Sequence, residues 1–164
     1  MAQNQPSSAI AVIPSDTINI PVPGIITSGT NTGGATTLTD AGQDFLNSAT
    51  NANGYNISGG DVVISAAGVI SEIASVDSAT QLTLLTAIAA GTYDIYKGNY
   101  QILGESEGFT LFVGTGGPAT VLRIQTLEGQ DVSLLNVPDS SFIPIQVQRV
   151  WATTTTCSNI IALQ

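Results

Sequence analysis

Side chains able to do chemistry are scarce in this sequence, and their scarcity is informative. Histidine is absent, which removes the usual general base, the usual imidazole metal ligand and every Ser/His or Cys/His nucleophilic arrangement. The single cysteine, Cys157, has no partner for a disulfide or a zinc site and reads as a small strand-end residue. Carboxylates and hydroxyls remain. Glu105 and Glu107 stand two apart, so on a strand they would share a face and could form a paired-carboxylate site or hold a cation. Their neighbours Gly104, Ser106 and Gly108 read instead as a linker. The stretch Gly114-Thr115-Gly116-Gly117-Pro118 lacks the Lys and Ser/Thr of a phosphate loop and reads as a turn, and no Asp-x-Asp spacing suggests a calcium loop. The expectation is of a protein that is not an enzyme, with no catalytic, cofactor-binding or metal-ligating residue and no cofactor.

One constellation stands apart, in IPIQVQRVW. Ile143, Ile145 and Val147 define an apolar face, and a period of two carries Arg149 and Trp151 onto it. An arginine in core phase needs an explanation. Either a bulge turns it to solvent, or it pairs with a carboxylate within the fold or across a subunit contact. Arg123 sits between Leu122 and Ile124, which face inward, so its removal is expected to matter little and that of Arg149 to weaken folding or assembly.

The elements that would position these residues are short strands. Apolar runs at 109–113, 119–126, 131–136 and 142–148 are separated by glycine-rich, Glu128-Gly129 and Val137-Pro138-Asp139 breaks. This spacing is that of an antiparallel β-sandwich. Further strands are expected at 59–64, 69–76, 81–85 and 92–96, with Ile70, Ala74 and Val76 on one face and Leu82 and Leu84 on another, forming a small closed barrel or compact sheet. Asp40 followed by Gln43 suggests a capped short helix or turn over 36–46, carrying Phe45 and Leu46. Asn53-Gly54 reads as a turn. Asn56-Ile57-Ser58 matches a glycosylation acceptor but is not expected to be modified.

Before these, residues 1–8 read as a flexible arm leading into an extended piece over 9–24, where Pro14, Pro21 and Pro23 forbid a helix interior. The arm either frays or adds to a neighbouring subunit. Its apolar residues Ile10, Val12 and Ile13 join Arg149 and Trp151 as the residues expected at subunit contacts.

Composition excludes several classes of partner. A net charge of −9 from 3 basic and 12 acidic residues argues against nucleic acid, whose phosphates are held by clustered Lys and Arg. Charged residues are only 9% of the chain, so hydroxyls and amides fill the polar strand positions, while 43% hydrophobic content opposes disorder. No apolar run approaches the ~20 residues of a membrane span, and the first residues lack a signal peptide's basic and apolar regions. The expectation is a soluble chain made in the cytoplasm, with no membrane partner.

The stretch FTLFVGTGG at 109–117, followed by GQDVSLLNVPDSSFIPIQVQRVWATTTTCSNIIAL at 129–163, resembles the C-terminal half of a family of tailed-phage and gene-transfer-agent virion proteins that act as head decoration, cement or spike-base proteins. The family's N-terminal Pro-Ser-Asp-Thr motif is matched at Pro14-Ser15-Asp16-Thr17, with Pro21 in the corresponding place. The chain departs from the pattern at Thr153 to Thr156, where a glycine is usual, and at Cys157 and Gln164.

In the family the two motifs lie close together, whereas here 25–100 intervene, and GGDVVI, VDSATQLTLL and TYDIY within them resemble a small β module of phage structural proteins. The resemblance implies an all-β fold: a discontinuous, jelly-roll-like sandwich formed by 1–24 and 101–164, with the strand from 9–24 completing it, interrupted by an inserted small β-barrel at 25–100. It implies a homo-oligomeric, trimeric cement protein on the outer capsid surface of a virion, gripping the major capsid protein. A spike-base, fibre or tail adhesin touching a receptor or glycans through Tyr93, Tyr96, Tyr100 or Trp151 is the alternative.

Overall fold

The computed structural model describes residues 6–47, 49, 51, 54–99 and 108–164. Glu105, Glu107, Tyr100, Asn53 and the first residues of the arm lie outside them. The fold is all-β, with no α-helix among the described residues. Its strands are β1 (Ala9–Ala11), β2 (Ile25–Asn31), β3 (Thr37–Thr39), β4 (Val62–Ser65), β5 (Ile70–Ser78), β6 (Gln81–Leu84), β7 (Gly91–Tyr96), β8 (Phe109–Thr115), β9 (Val121–Thr126), β10 (Asp131–Leu135), β11 (Ser141–Val150) and β12 (Ser158–Leu163). They form two antiparallel sheets, one in each of two compact units: Met1–Pro23 with Asn99–Gln164, and the contiguous Gly24–Gly98.

In the contiguous unit the sheet order is β2-β7-β4-β5-β6-β3. Alternation in β6 and β7 turns Leu82, Leu84, Tyr93 and Ile95 inward, where they meet Ile26, Leu38, Phe45, Ile57, Val63, Ile73 and Ile88. The strict alternation expected for β5 fails. Register shifts lie between Ile73 and Ser75 and between Val76 and Ser78, so Ile73 is in the core with Leu82 and Leu84, Val76 packs against it, and Ala74 is exposed.

The expected helix over 36–46 is replaced by strand β3 and a turn, because the Asp40 carboxylate has partners on another strand. Its Oδ2 accepts from the Thr30 N–H at 2.7 Å and the Tyr93 hydroxyl at 2.9 Å, and its Oδ1 accepts from the Gly42 N–H at 2.9 Å. Burial, then the bond to Asp40, pushes the Tyr93 phenol pKa well up. Gln43, instead of completing a cap, donates to the Ser28 carbonyl and accepts from the Thr27 hydroxyl. Beside it the Thr32 N–H donates to the Thr39 carbonyl at 2.8 Å, and Asn31 Oδ1 accepts from the Thr39 N–H at 3.0 Å, so the two outermost strands of this sheet are joined at one end.

The second polar anchor is Asp61, which is fully buried. Lys97 Nζ lies 2.9 Å from its Oδ1, and the Gly98 and Ser58 N–H groups donate to its two oxygens. With the Ser58 hydroxyl as a fourth donor at 3.3 Å, these groups offset the desolvation of one buried carboxylate and tie the end of β7 to the start of β4.

The discontinuous unit has the order β1-β12-β8-β11-β9-β10. Phe109, Leu111, Val113, Leu122, Ile124, Val147, Val150, Ile160 and Ala162 are buried. β11 serves two neighbours: Ser141, Phe142 and Ile143 pair with β8, Val147 touches both, and Arg149 and Val150 pair with β9. Pro144, which has no N–H to give, falls inside the first of the two register shifts this requires.

The arm is paired within its own chain. β1 lies against β12 with Ile10 opposite Ala162, the Val12 N–H donates to the Ile160 carbonyl, and the Ser15 and Ile20 N–H groups donate to Val150 and Gln148 of β11. It therefore occupies the edge of β11 beyond the stretch paired with β8. The segment thus pairs within its own unit, and the adjoining Ile18 and Ile20 are buried.

The glycine-rich turn is held by its own chain. Gly116 and Gly117 N–H groups donate to the Asp139 carboxylate and the Val137 carbonyl, and a Cβ at Gly116 would overlap that carbonyl.

Gly29 provides a test of the Asp40 anchor, since a Cβ there would overlap Asp40 Oδ2 and stand 2.6 Å from the Tyr93 hydroxyl. Gly29→Ala is expected to destabilise the protein by about 1–3 kcal/mol in urea denaturation. Gly34→Ala, where a Cβ meets nothing within 4 Å, should change stability by less than about 0.5 kcal/mol. Equal, small effects would show that the anchor is not rigid.

Candidate functional site

The residues expected at subunit contacts divide between two places on the discontinuous unit. Ile10 is buried in its own unit, while Val12 and Ile13 are partly exposed beside it. Arg149 and Trp151 belong to a cluster on the opposite side of β9 and β11 from the core.

The cluster follows from the register shift between Val147 and Arg149. The shift puts Val150 opposite Ile124 in the core and Arg149 opposite Gln125 on the outer face, so Arg149 is not in core phase as a strict period of two requires. Its partners are neutral oxygens rather than a carboxylate: Nε donates to Asn19 Oδ1 at 2.8 Å and Nη1 to the Asp16 carbonyl at 3.3 Å. Burial pulls its pKa down, opposed by the nearby charges of Asp131 and Asp16.

Arg123 has a larger part than its strand position suggested. Its guanidinium carbon lies 4.5 Å from the Trp151 ring centroid, and that of Arg149 lies 5.1 Å from it. Both arginines of the chain thus contact its one tryptophan. Arg123 also pairs with Asp131 at 3.2 Å, and its backbone is bonded on both sides: the N–H donates to Thr155 Oγ1, and the carbonyl accepts from the Trp151 N–H and the Thr155 hydroxyl. Trp151 Nε1 has no hydrogen-bond partner, so the indole is held through its ring contacts and packing.

Asp16 completes the cluster from the arm. Its two carboxylate oxygens accept from the Thr153 N–H at 2.8 Å and the Thr153 hydroxyl at 2.6 Å. These bonds, the hydroxyl's first, hold its pKa below the ordinary value. The next residue, Thr154, adopts φ +83°. That is a left-handed conformation unusual for a β-branched residue.

The aromatic groups considered for glycan stacking are largely occupied. Tyr93 is buried and donates to Asp40, and Trp151 contacts two arginines. Cys157 is buried just before β12. Among the described residues no three His, Cys, Asp or Glu side chains gather into a group that could hold a metal ion. An open depression bounded by Ser7, Gly108, Thr110, Gln146 and Leu163 presents no titratable side chain.

A second surface was not foreseen. Cross-strand register sets Ile161 opposite Phe112 and Phe112 opposite Phe142, making one row on the face away from Leu111, Val113 and Ala162. Phe142 is 52% exposed and Ile161 37%. Strands β1, β8 and β12, and β11 as far as Gln148, carry no charged residue. The sequence signal was present: FTLFV and SNIIA are apolar in both phases, where a half-buried strand should alternate.

No family model, curated protein or solved structure matches the chain.

Arg149→Ala and Arg123→Ala are each expected to destabilise by about 0.5–2 kcal/mol, Arg149→Ala more because it also releases Asn19 and Asp16. Urea denaturation followed by emission of the sole tryptophan reads both, and a silent Arg123→Ala would remove that residue from the cluster. The lowered pKa of Asp16 means that its stabilising contribution is complete above the unfolded value and fades as pH falls through the folded one. Thr153→Val should raise the Asp16 midpoint toward that of an ordinary aspartate in a carboxyl NMR titration; an unmoved midpoint would assign the shift to other groups.

Proposed function

We propose that the chain is a structural virion protein: a homo-oligomeric cement or decoration protein on the outer surface of a tailed-phage head, made in the host cytoplasm and bound to the major capsid protein. The observation that carries this reading is the broad sheet surface of β1, β12, β8 and β11 as far as Gln148, which bears no charge in a chain of net charge −9 and exposes apolar side chains. Surfaces of that kind mark association rather than catalysis. The resemblance of 109–117 and 129–163 to virion surface proteins points the same way.

The engagement of the cations supports it further. Lys97 pairs with Asp61, Arg123 with Asp131, and Arg149 donates to Asn19 and Asp16. Such a chain offers packaged nucleic acid little attraction and suits an outward position.

The finer architecture belongs to the same reading. The discontinuous unit is a jelly-roll-like sandwich, which is supported by the way β11 leaves β8 for β9 and so lets one sheet fold over a core. The contiguous unit is a small inserted β-barrel, supported by the bonds that join β2 to β3 across the ends of its sheet.

Densitometry of purified virions carrying the chain tests the function. On the order of hundreds of copies per particle are expected for a protein that decorates every capsomer. A few dozen copies or fewer would assign it to a spike base, fibre or tail, and absence from the particle would overturn a virion role.

A further inference from the structure

We infer that the Ile161–Phe112–Phe142 row is the seat of a second copy of this chain. The inference rests on the reading of the protein as an assembling structural component and names the surface by which its copies meet.

The row crosses three paired strands and continues to Ala11 of β1, opposite Ile161. Alongside it lie Ala9, Leu163 and Thr110, which are cross-strand neighbours on the same face. On its other side stand Gly114 and Asn159, where a Cβ on the glycine would be 3.0 Å from the asparagine's. An apolar centre with a rim of hydroxyl, amide and small side chains has the layout of a protein–protein contact.

Charge identifies the occupant. A basic partner would be drawn to the carboxylates of this chain, and there are none on these strands. Two copies, each of net charge −9, repel through most of their surfaces. They can approach without opposing carboxylates where both present strands free of Asp and Glu, and this face presents four. A second copy also brings the same apolar row, so Phe142 and Ile161 of each find apolar surface on the other.

The electrostatics set the sign of the salt response. Added salt screens the repulsion between copies over a Debye length of about 8 Å at 0.15 M and less above it. Self-association must therefore strengthen with salt, the reverse of a contact made through opposite charges.

The test is sedimentation velocity of the purified full chain from about 1 to 100 μM, a range suited to contacts of modest area, at low and high sodium chloride. Oligomers are expected, and more of them at high salt. Phe142→Ser with Ile161→Thr should weaken association at least about ten-fold, with the thermal transition of the dilute monomer retained. Leu135→Ser removes an apolar group that is 68% exposed on β10, off the row, and should leave association unchanged. If the double substitution unfolds the chain, Phe142→Gln alone gives the reading. A chain monomeric at every concentration and salt, an association that weakens with salt, or one lost equally on Leu135→Ser would overturn the inference. Monomers in solution alongside a high copy number in virions would sink this contact and leave the decoration role standing. Salt-promoted oligomers broken by the Phe142 and Ile161 changes would establish the contact even if the virion lacked the chain.

Discussion

The discontinuous unit depends on one strand having to serve more neighbours than a regular strand can. β11 pairs with β8 along its first part and with β9 along its last, and its freed edge then accepts Ser15 and Ile20 of the arm. A strand in constant register would keep one neighbour on each side and carry Arg149 into the apolar layer. The slips on either side of Val147 prevent this. They bend the sheet, open a place for the arm, and turn Arg149 and Trp151 outward, where Arg123, Asp16 and Asn19 can reach them. The proline and the arginine, each awkward in a central strand, sit at or beside these irregularities, and that makes both tolerable.

The rest of the stability rests on apolar burial joined by a few well-placed carboxylates. Asp40 and Asp61 are buried, and each gathers backbone donors from two separate segments, so each fixes geometry that side-chain packing alone would leave adjustable. A chain with so few cations could not neutralise many buried carboxylates with ion pairs. It uses N–H groups and hydroxyls instead, and Lys97 is the one basic side chain on either of these two anchors.

Much of the fold was legible in the sequence because alternation is a direct consequence of strand geometry. The expected strands across 109–150 match β8 to β11 to within two residues at each end. What could not be read has physical causes. Bulges leave no local mark, so Ala74 was placed in the wrong phase, and for Arg149 the sequence left open whether a bulge turned it to solvent or a carboxylate met it; the outward cluster depended on that choice. β2 has the sequence IITSGTN, too polar and glycine-containing to announce a strand; its place is set by pairing with β7 and by the Asp40 carboxylate that Gly29 admits. Asp40 itself has the spacing of a helix cap, and only a distant tyrosine and a neighbouring strand decide otherwise. The apolar outer row was legible in principle, as a failure of alternation, but such a failure is also what a strand buried on both faces would show.

The pairing of β1 with β12 brings together the first and last strands among the described residues. During synthesis, Gly24–Gly98 contains every strand of its own sheet and is free to fold as soon as it has emerged. The other unit has no such freedom. Its first strand must wait, unpaired, for more than a hundred residues until Ser158–Leu163 is made. The brevity of that waiting strand, three residues of Ala-Ile-Ala, gives other nascent chains little edge to join in the interval.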